Sequence, residues 1–379
     1  MTQASKVPRR GALGPASSGR GRELYIDAFR GLMALVMVQG HVFEALLIPE
    51  ARADRLYQLQ VVLHGSTAPG FLFASGFVAG LPRAPLSWTA ALRRARRLLF
   101  VWGVAYALVL PYLSLWKTLA ATPAETTRLL ACNALHVIAF TQLLALGLQL
   151  LLRRRWTWHA GALAALIVAA TPAVWSSGVA RRLPPALGAY LDEATGSLFP
   201  VFPFAAFVLA GALAGAAMGH ADARSRRTRG LRWGTGLVAA GALLSVLLQG
   251  RVPFWGPSPG YALLRLGGLV LLLIAVEAVA QGAPSWIRAL SLLGHETLLV
   301  YVLHLVLLFG GVVAAGPLAA LAGRLGFAGA SATLVAMLPV LYVAALAWRR
   351  AKERAPREAS GTLAFLSVAF IYEFLTRPW

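Results

Sequence analysis

The sequence is poor in charge and almost free of cysteine. Of its 379 residues 13% are charged and 58% are hydrophobic, whereas a soluble domain carries about 25% charged residues. Windows of about 20 residues run nearly free of charge, which is the length that crosses a bilayer as a helix. The single cysteine, Cys132, lies in an apolar run. It excludes an internal disulfide and a cysteine metal site, and it reads as a small buried hydrophobe. No HExxH, carboxylate-rich cage or CxxC occurs, so no metal is expected. GxxxxGK[ST], a Rossmann glycine pattern and GxSxG are also missing, which argues against nucleotide-binding folds and serine hydrolases. No internal repeat is visible, so the inverted-repeat signature of many transporters is lacking.

Acidic residues are scarce too. Fourteen Asp and Glu face 35 Lys and Arg, a formal net charge of +21. The basic residues form short clusters between apolar runs, with no zinc-finger spacing and no base-reading helix. Orientation against a cytoplasmic leaflet explains them better than nucleic acid, and no nucleic-acid partner is expected.

What remains is a series of apolar segments. Eleven can span, at approximately 24–48, 64–81, 95–116, 128–152, 158–176, 197–218, 231–249, 260–281, 290–314, 327–348 and 360–376. Taking the N-terminus as cytoplasmic, the inside segments hold the large arginine clusters, including Arg93, Arg94, Arg96 and Arg97, Arg153–Arg155, and Arg224–Arg232, except for one that holds Arg288 only. The outside segments hold one or two basic residues each. This alternation predicts an all-α, polytopic membrane helix bundle of about eleven transmembrane helices, with a cytoplasmic N-terminus and an outward C-terminus. Residues 1–23, rich in Gly, Ser, Pro and Arg, read as a disordered basic tail before a retained first span. Residues 24–379 read as one domain. Gly211, Gly215 and Gly219 form a small-xxx-small ridge for close helix packing.

Against this background the polar residues inside the spans stand out. A charge at mid-membrane costs roughly 2.5–3.5 kcal/mol on insertion scales, so each such residue is a functional candidate. The first span reads ELYIDAFRGLMALVMVQGH. Asp27 and Arg30 are spaced to pair at i, i+3. His41 lies about 16 Å further along the helix and returns to nearly the same face, with Glu44 beside it. One helix thus presents a polar stripe from the cytoplasmic surface past mid-membrane. His64 opens the second expected span and can approach His41 if the two helices are antiparallel neighbours. Asn133 and His136 share a face in the fourth span, Arg265 and Glu277 lie in the eighth, and Tyr301 and His304 share a face in the ninth. These residues are expected to line a common polar cavity. His159 and His220 lie at membrane edges and receive no role.

The stretch IDAFRGLMALVMVQGH resembles the first transmembrane helix of the family 3 membrane acyltransferases, marked by an Arg, ten residues, then a His. Arg30 and His41 match that spacing. HGSTAPGFLFASGF, NALHVIAF, FPVFPFAAFVLAGALAG and LLGHETLLVYVLHLVLL resemble the related heparan-α-glucosaminide N-acetyltransferase group. The resemblance implies transfer of an acyl group, acetyl in the first instance, from cytoplasmic acyl-CoA to a hydroxyl or amine of a carbohydrate or glycolipid acceptor. It also implies a multi-pass protein of a bacterial inner membrane. Catalysis would fall to His41 or His64, and the heparan-type pattern, with its working histidine just before the second span, keeps both open. Direct transfer and an acyl-histidine intermediate stay equally open. Arg30, Asp27, Arg93 and Arg97 would bind the acyl-CoA. A secondary transporter for a sugar, lipid or organic anion is the alternative that uses the same inward polar groups.

Overall fold

The computed structural model describes residues 20–82, 86–219 and 221–378. Most of the expected basic tail, Arg83 and His220 therefore lie outside the described residues. Helices of ten residues or more are numbered here α1 (Arg20–Leu46), α2 (Arg55–His64), α3 (Thr67–Gly80), α4 (Trp88–Ala107), α5 (Ala134–Leu152), α6 (Trp156–Ser176), α7 (Val201–Met218), α8 (Ala223–Leu247), α9 (Pro259–Ala280), α10 (Ser285–His295), α11 (Thr297–Phe309), α12 (Phe327–Arg354) and α13 (Pro356–Thr376). The protein is all-α. The strand-type pairing among the described residues is an isolated bridge between Leu47 and Leu325.

Among the described residues eight stretches are long and apolar enough to cross a membrane, or nine if a bent pair is one span. The bent pair is α10 and α11, which meet at 80° around Glu296. The sequence suggested one straight segment over 290–314. The polar tetrad Gly294-His295-Glu296-Thr297 interrupts it, and Glu296 is buried there. The stretch Ala134–Ser176, 43 residues long, contains two helices, α5 and α6, separated by Arg153–Arg155. Both outer ends of this stretch return to the start of α7. The Phe199 amide donates to the Cys132 carbonyl at 3.1 Å, and Trp175 donates to the Phe202 carbonyl at 3.0 Å. The α4 helix carries four arginines and is not among the eight. It begins at Trp88, where Ser87 caps it, and ends at Ala107. Asp222 caps α8 by accepting from the Ser225 amide, and that bond holds its carboxyl below the usual range.

Small residues set how closely the helices pack. The ridge on α7 meets α3 backbone to backbone: a Cβ on Gly211 would lie 2.2 Å from the Phe73 carbonyl oxygen, and one on Gly215 would lie 2.1 Å from that of Phe77. The interface admits no side chain at either position. The α1 helix occupies the middle of the bundle and packs against α2, α3, α9, α10, α11 and α12. Phe29, Val38, Val42 and Leu46 on it are fully or nearly fully buried. The first span of the chain is therefore the axis around which the polar residues gather.

Candidate functional site

The polar stripe on α1 ends in a histidine group. His41 Nδ1 lies 2.8 Å from His304 Nε2. The two rings stack, with centroids 5.1 Å apart and planes 12° apart. His304, on α11, is completely buried, and its Nδ1 lies 2.9 Å from the Val300 carbonyl oxygen of its own helix. These contacts fix the protons. A carbonyl only accepts, so His304 Nδ1 carries a hydrogen. In the neutral ring His304 Nε2 is then a bare acceptor, and His41 Nδ1 must donate to it. The neutral His41 imidazole is left with its lone pair on Nε2, the form a general base requires.

His64 completes the group. The sequence suggested that it opens the second span; it is instead the last residue of α2, just before α3. Its ring stands edge-on to that of His41 at 4.9 Å between centroids. Gly40 makes room for it, because a Cβ at that position would fall 1.8 Å from His64 Nδ1. The Glu44 side chain is exposed and lies near both rings: ligand atoms of His41, Glu44 and His64 are all within 4.8 Å of one another. Tyr301 stands edge-on to His304 at 5.7 Å. Arg265, from α9, donates to the Val62 carbonyl at 2.9 Å and to the Ser66 hydroxyl. Its guanidinium lies 5.2 Å from the centre of the Tyr261 ring. It pins the turn that carries His64.

At the other end of the stripe, Arg30 pairs with Asp27 at 3.3 Å. Asp27 also faces His295 Nδ1 at 3.5 Å. Next to it, buried Glu296 at the α10–α11 bend pairs with Lys352 of α12 at 2.6 Å. This alternating set of charges joins α1, the bend and α12. Of the expected site residues, Asp27, Arg30, His41, Glu44, His64, Arg265, Tyr301 and His304 thus lie along or beside one helix.

Others lie elsewhere. Glu277 is buried and held by Arg227 at 2.9 Å and Arg226 at 3.6 Å. Arg226 also covers the Tyr25 ring, 5.1 Å from its centre. Glu277 is an ion-pair partner between α8 and α9 and is not part of the histidine group. Asn133 and His136 form the N-terminal cap of α5. Asn133 accepts from the Leu135 and His136 amides, and His136 Nδ1 accepts from the Asn133 amide at 3.2 Å. The His136 ring packs edge-on against Tyr106, 4.3 Å between centroids. The expected i, i+3 face does not exist here, because the helix starts at Ala134. Arg93 is exposed on α4. Arg97 lines a groove of about 200 Å³ together with Ser75, Arg94, Gln142, Gln149 and Trp156. Arg94 donates to Gln149 there at 3.1 Å.

Sequence reasoning passed over His295, Glu296 and Lys352, and it gave Gly40 no role. The GHET break in an apolar run was the available signal for the first two. Nothing local marks Gly40, whose importance comes from a ring brought in by another helix.

The structure thus defines a polytopic membrane bundle in which a half-buried histidine of the central helix, His41, meets a buried one, His304, from α11. A family model described as heparan-alpha-glucosaminide N-acetyltransferase, catalytic, matches residues 22–246. That is more than half of the chain, and the chain belongs to this family. The matched region contains His41 and His64, whereas His304 lies beyond it. No curated protein matches the chain in sequence.

Proposed function

We propose that this protein is a multi-pass membrane acyltransferase that moves an acyl group, acetyl in the first instance, from cytoplasmic acyl-CoA to a hydroxyl or amine of a carbohydrate-type acceptor. The observation that carries the reading is the contact chain His41–His304–Val300, which leaves His41 Nε2 unprotonated. Family membership supports the reaction class.

The acceptor hydroxyl or amine gives its proton to His41 Nε2 as its oxygen or nitrogen attacks the thioester carbonyl. The carbon–sulfur bond breaks, and the CoA thiolate takes the proton back from the imidazolium. His304 holds the tautomer throughout and shares the positive charge of the transient imidazolium. His64, whose ring stands edge-on to that of His41 at 4.9 Å between centroids, is assigned to orient the acceptor. Arg30 lies about 16 Å back along the helix, where it can meet the phosphate end of the donor beside Asp27. Arg97, and Arg93 one turn earlier on α4, are assigned as further cationic contacts for the nucleotide. This direction of entry requires the cytoplasmic N-terminus that the arginine clusters predict. It also fits eleven spans, with α4 counted as one, α5 and α6 counted apart and α10–α11 taken as a broken one. A bacterial inner membrane is the expected setting.

The test is turnover of acetyl-CoA by purified protein in detergent. Wild type should transfer or hydrolyse the acetyl group. His41→Ala should bind acetyl-CoA without turnover, and Arg30→Ala should bind it weakly. Failure of wild type to bind any acyl-CoA would overturn the reading and favour a transporter. Normal turnover in His41→Ala would overturn the catalytic assignment alone.

A further inference from the structure

The histidine group has the composition of a metal site as well as of a base. His41 and Glu44 are three residues apart on α1, so they project from one face of one helix. His64 enters from α2 through the gap that Gly40 leaves. The three side chains offer two imidazole nitrogens and a carboxylate oxygen, all within 4.8 Å of one another. Zinc binds imidazole nitrogen and carboxylate oxygen at about 2.0–2.2 Å, which places tetrahedral ligands roughly 3.3 Å apart. The remaining gap closes by rotation of side chains, and Glu44, being exposed, is free to turn inward.

The surroundings also match what such ions require. A metal-binding histidine almost always donates its other ring N–H to a second group, which fixes the tautomer and turns the lone pair toward the ion. His41 does this through His304, which in turn donates to Val300. With Nδ1 committed, Nε2 is the nitrogen His41 has left for an ion. Two neutral imidazoles and one carboxylate leave a zinc ion with one net positive charge and an open position for water. The set is poor in oxygen, so it disfavours magnesium and calcium.

We propose that His41, Glu44 and His64 bind a single zinc ion that competes with the proton for His41 Nε2 and thereby inhibits the protein. The ion is an inhibitor in this scheme, and the transfer step proceeds without it. The site stands on geometry alone; the inhibitory effect rests on the acyltransferase reading given above.

Binding is measured apart from activity. Full-length protein in detergent, stripped of metal with a chelator, is titrated with zinc chloride by calorimetry. One ion per chain is expected. Glu44→Gln and His64→Gln should each weaken binding at least tenfold, and magnesium chloride should give no signal. His159→Gln, at an exposed imidazole elsewhere in the fold, should bind like wild type. No stoichiometric zinc, or unchanged affinity in both site variants, would overturn the proposal. Should the variants fail to fold, cobalt(II) added to wild type decides the matter: an intense visible absorption band is expected from four-coordinate nitrogen and oxygen ligation, and its absence counts against the site. Zinc should also halt acetyl transfer, reversed by chelator. Transfer without zinc binding would remove this proposal and leave the enzyme. Zinc binding with no transfer under any condition would remove the enzyme and leave the site.

Discussion

His41 and His304 meet at 2.8 Å although 263 positions separate them in the chain. The contact gives His304 a directing role without requiring it to touch substrate. In His304→Leu, the His41 imidazole keeps its place on α1 but is free to choose its tautomer. The turnover number should fall on the order of 10²-fold, with little change in KM for acyl-CoA. His304→Gln, whose amide oxygen can accept from Nδ1, should recover part of the loss. Steady-state kinetics on both variants would refute the relay if KM alone moved, or if Leu and Gln behaved alike.

The gap at Gly40 predicts a coupling. A Cβ there falls 1.8 Å from His64 Nδ1, so Gly40→Ala must displace the ring or the helix. Overpacking of this kind costs about 1–3 kcal/mol. Thermal unfolding in detergent should show the loss, and Gly40→Ala combined with His64→Ala should recover most of it. Additive losses in the double variant would mean that the two residues do not oppose each other.

Asn133 should behave as a cap. Asn133→Ala leaves the Leu135 and His136 amides without their acceptor, at a cost of about 1 kcal/mol. The melting temperature should drop while turnover number and KM stay at wild-type values. A selective loss of turnover in a fully folded Asn133→Ala protein would return this residue to the reaction.

Glu277 should matter to stability far more than to chemistry. Its side chain is 5% exposed and that of Arg226 is 8% exposed. Removing one member of a buried pair costs about 3–5 kcal/mol, because the other charge stays behind. Glu277→Gln should therefore unfold at markedly lower temperature. Glu277→Leu with Arg226→Met should regain much of the difference, and equal melting of the single and double variants would contradict the pairing.

These contrasts also mark what the sequence could reveal. The stripe Asp27, Arg30, His41, Glu44 follows from helical periodicity, and α1 realises it. The helical bundle follows from length and hydropathy. Grouping Asn133, His136 and Glu277 with the histidines did not hold in space, for two physical reasons. A polar residue one position outside a helix caps it, and a boundary error of a few residues turns a cap into a supposed inward face. A buried carboxylate, meanwhile, reads identically in sequence whether it faces a cavity or an arginine on the next helix. The encounter of His41 with His304 depends on the bend at Glu296, which the apolar run around it disguised.

The central position of α1 has a consequence for how the protein is made. This helix leaves the ribosome before the other described spans, yet several of its partners come late. His295, His304 and the strand-like contact at Leu325 all lie in the last third of the chain. Until that third arrives, Asp27 has Arg30 of its own helix as a partner, whereas His41 must wait in the membrane without His304. An early helix is thus finished late, and a chain interrupted at residue 246 would carry His41 and His64 without the residue that fixes the tautomer of His41.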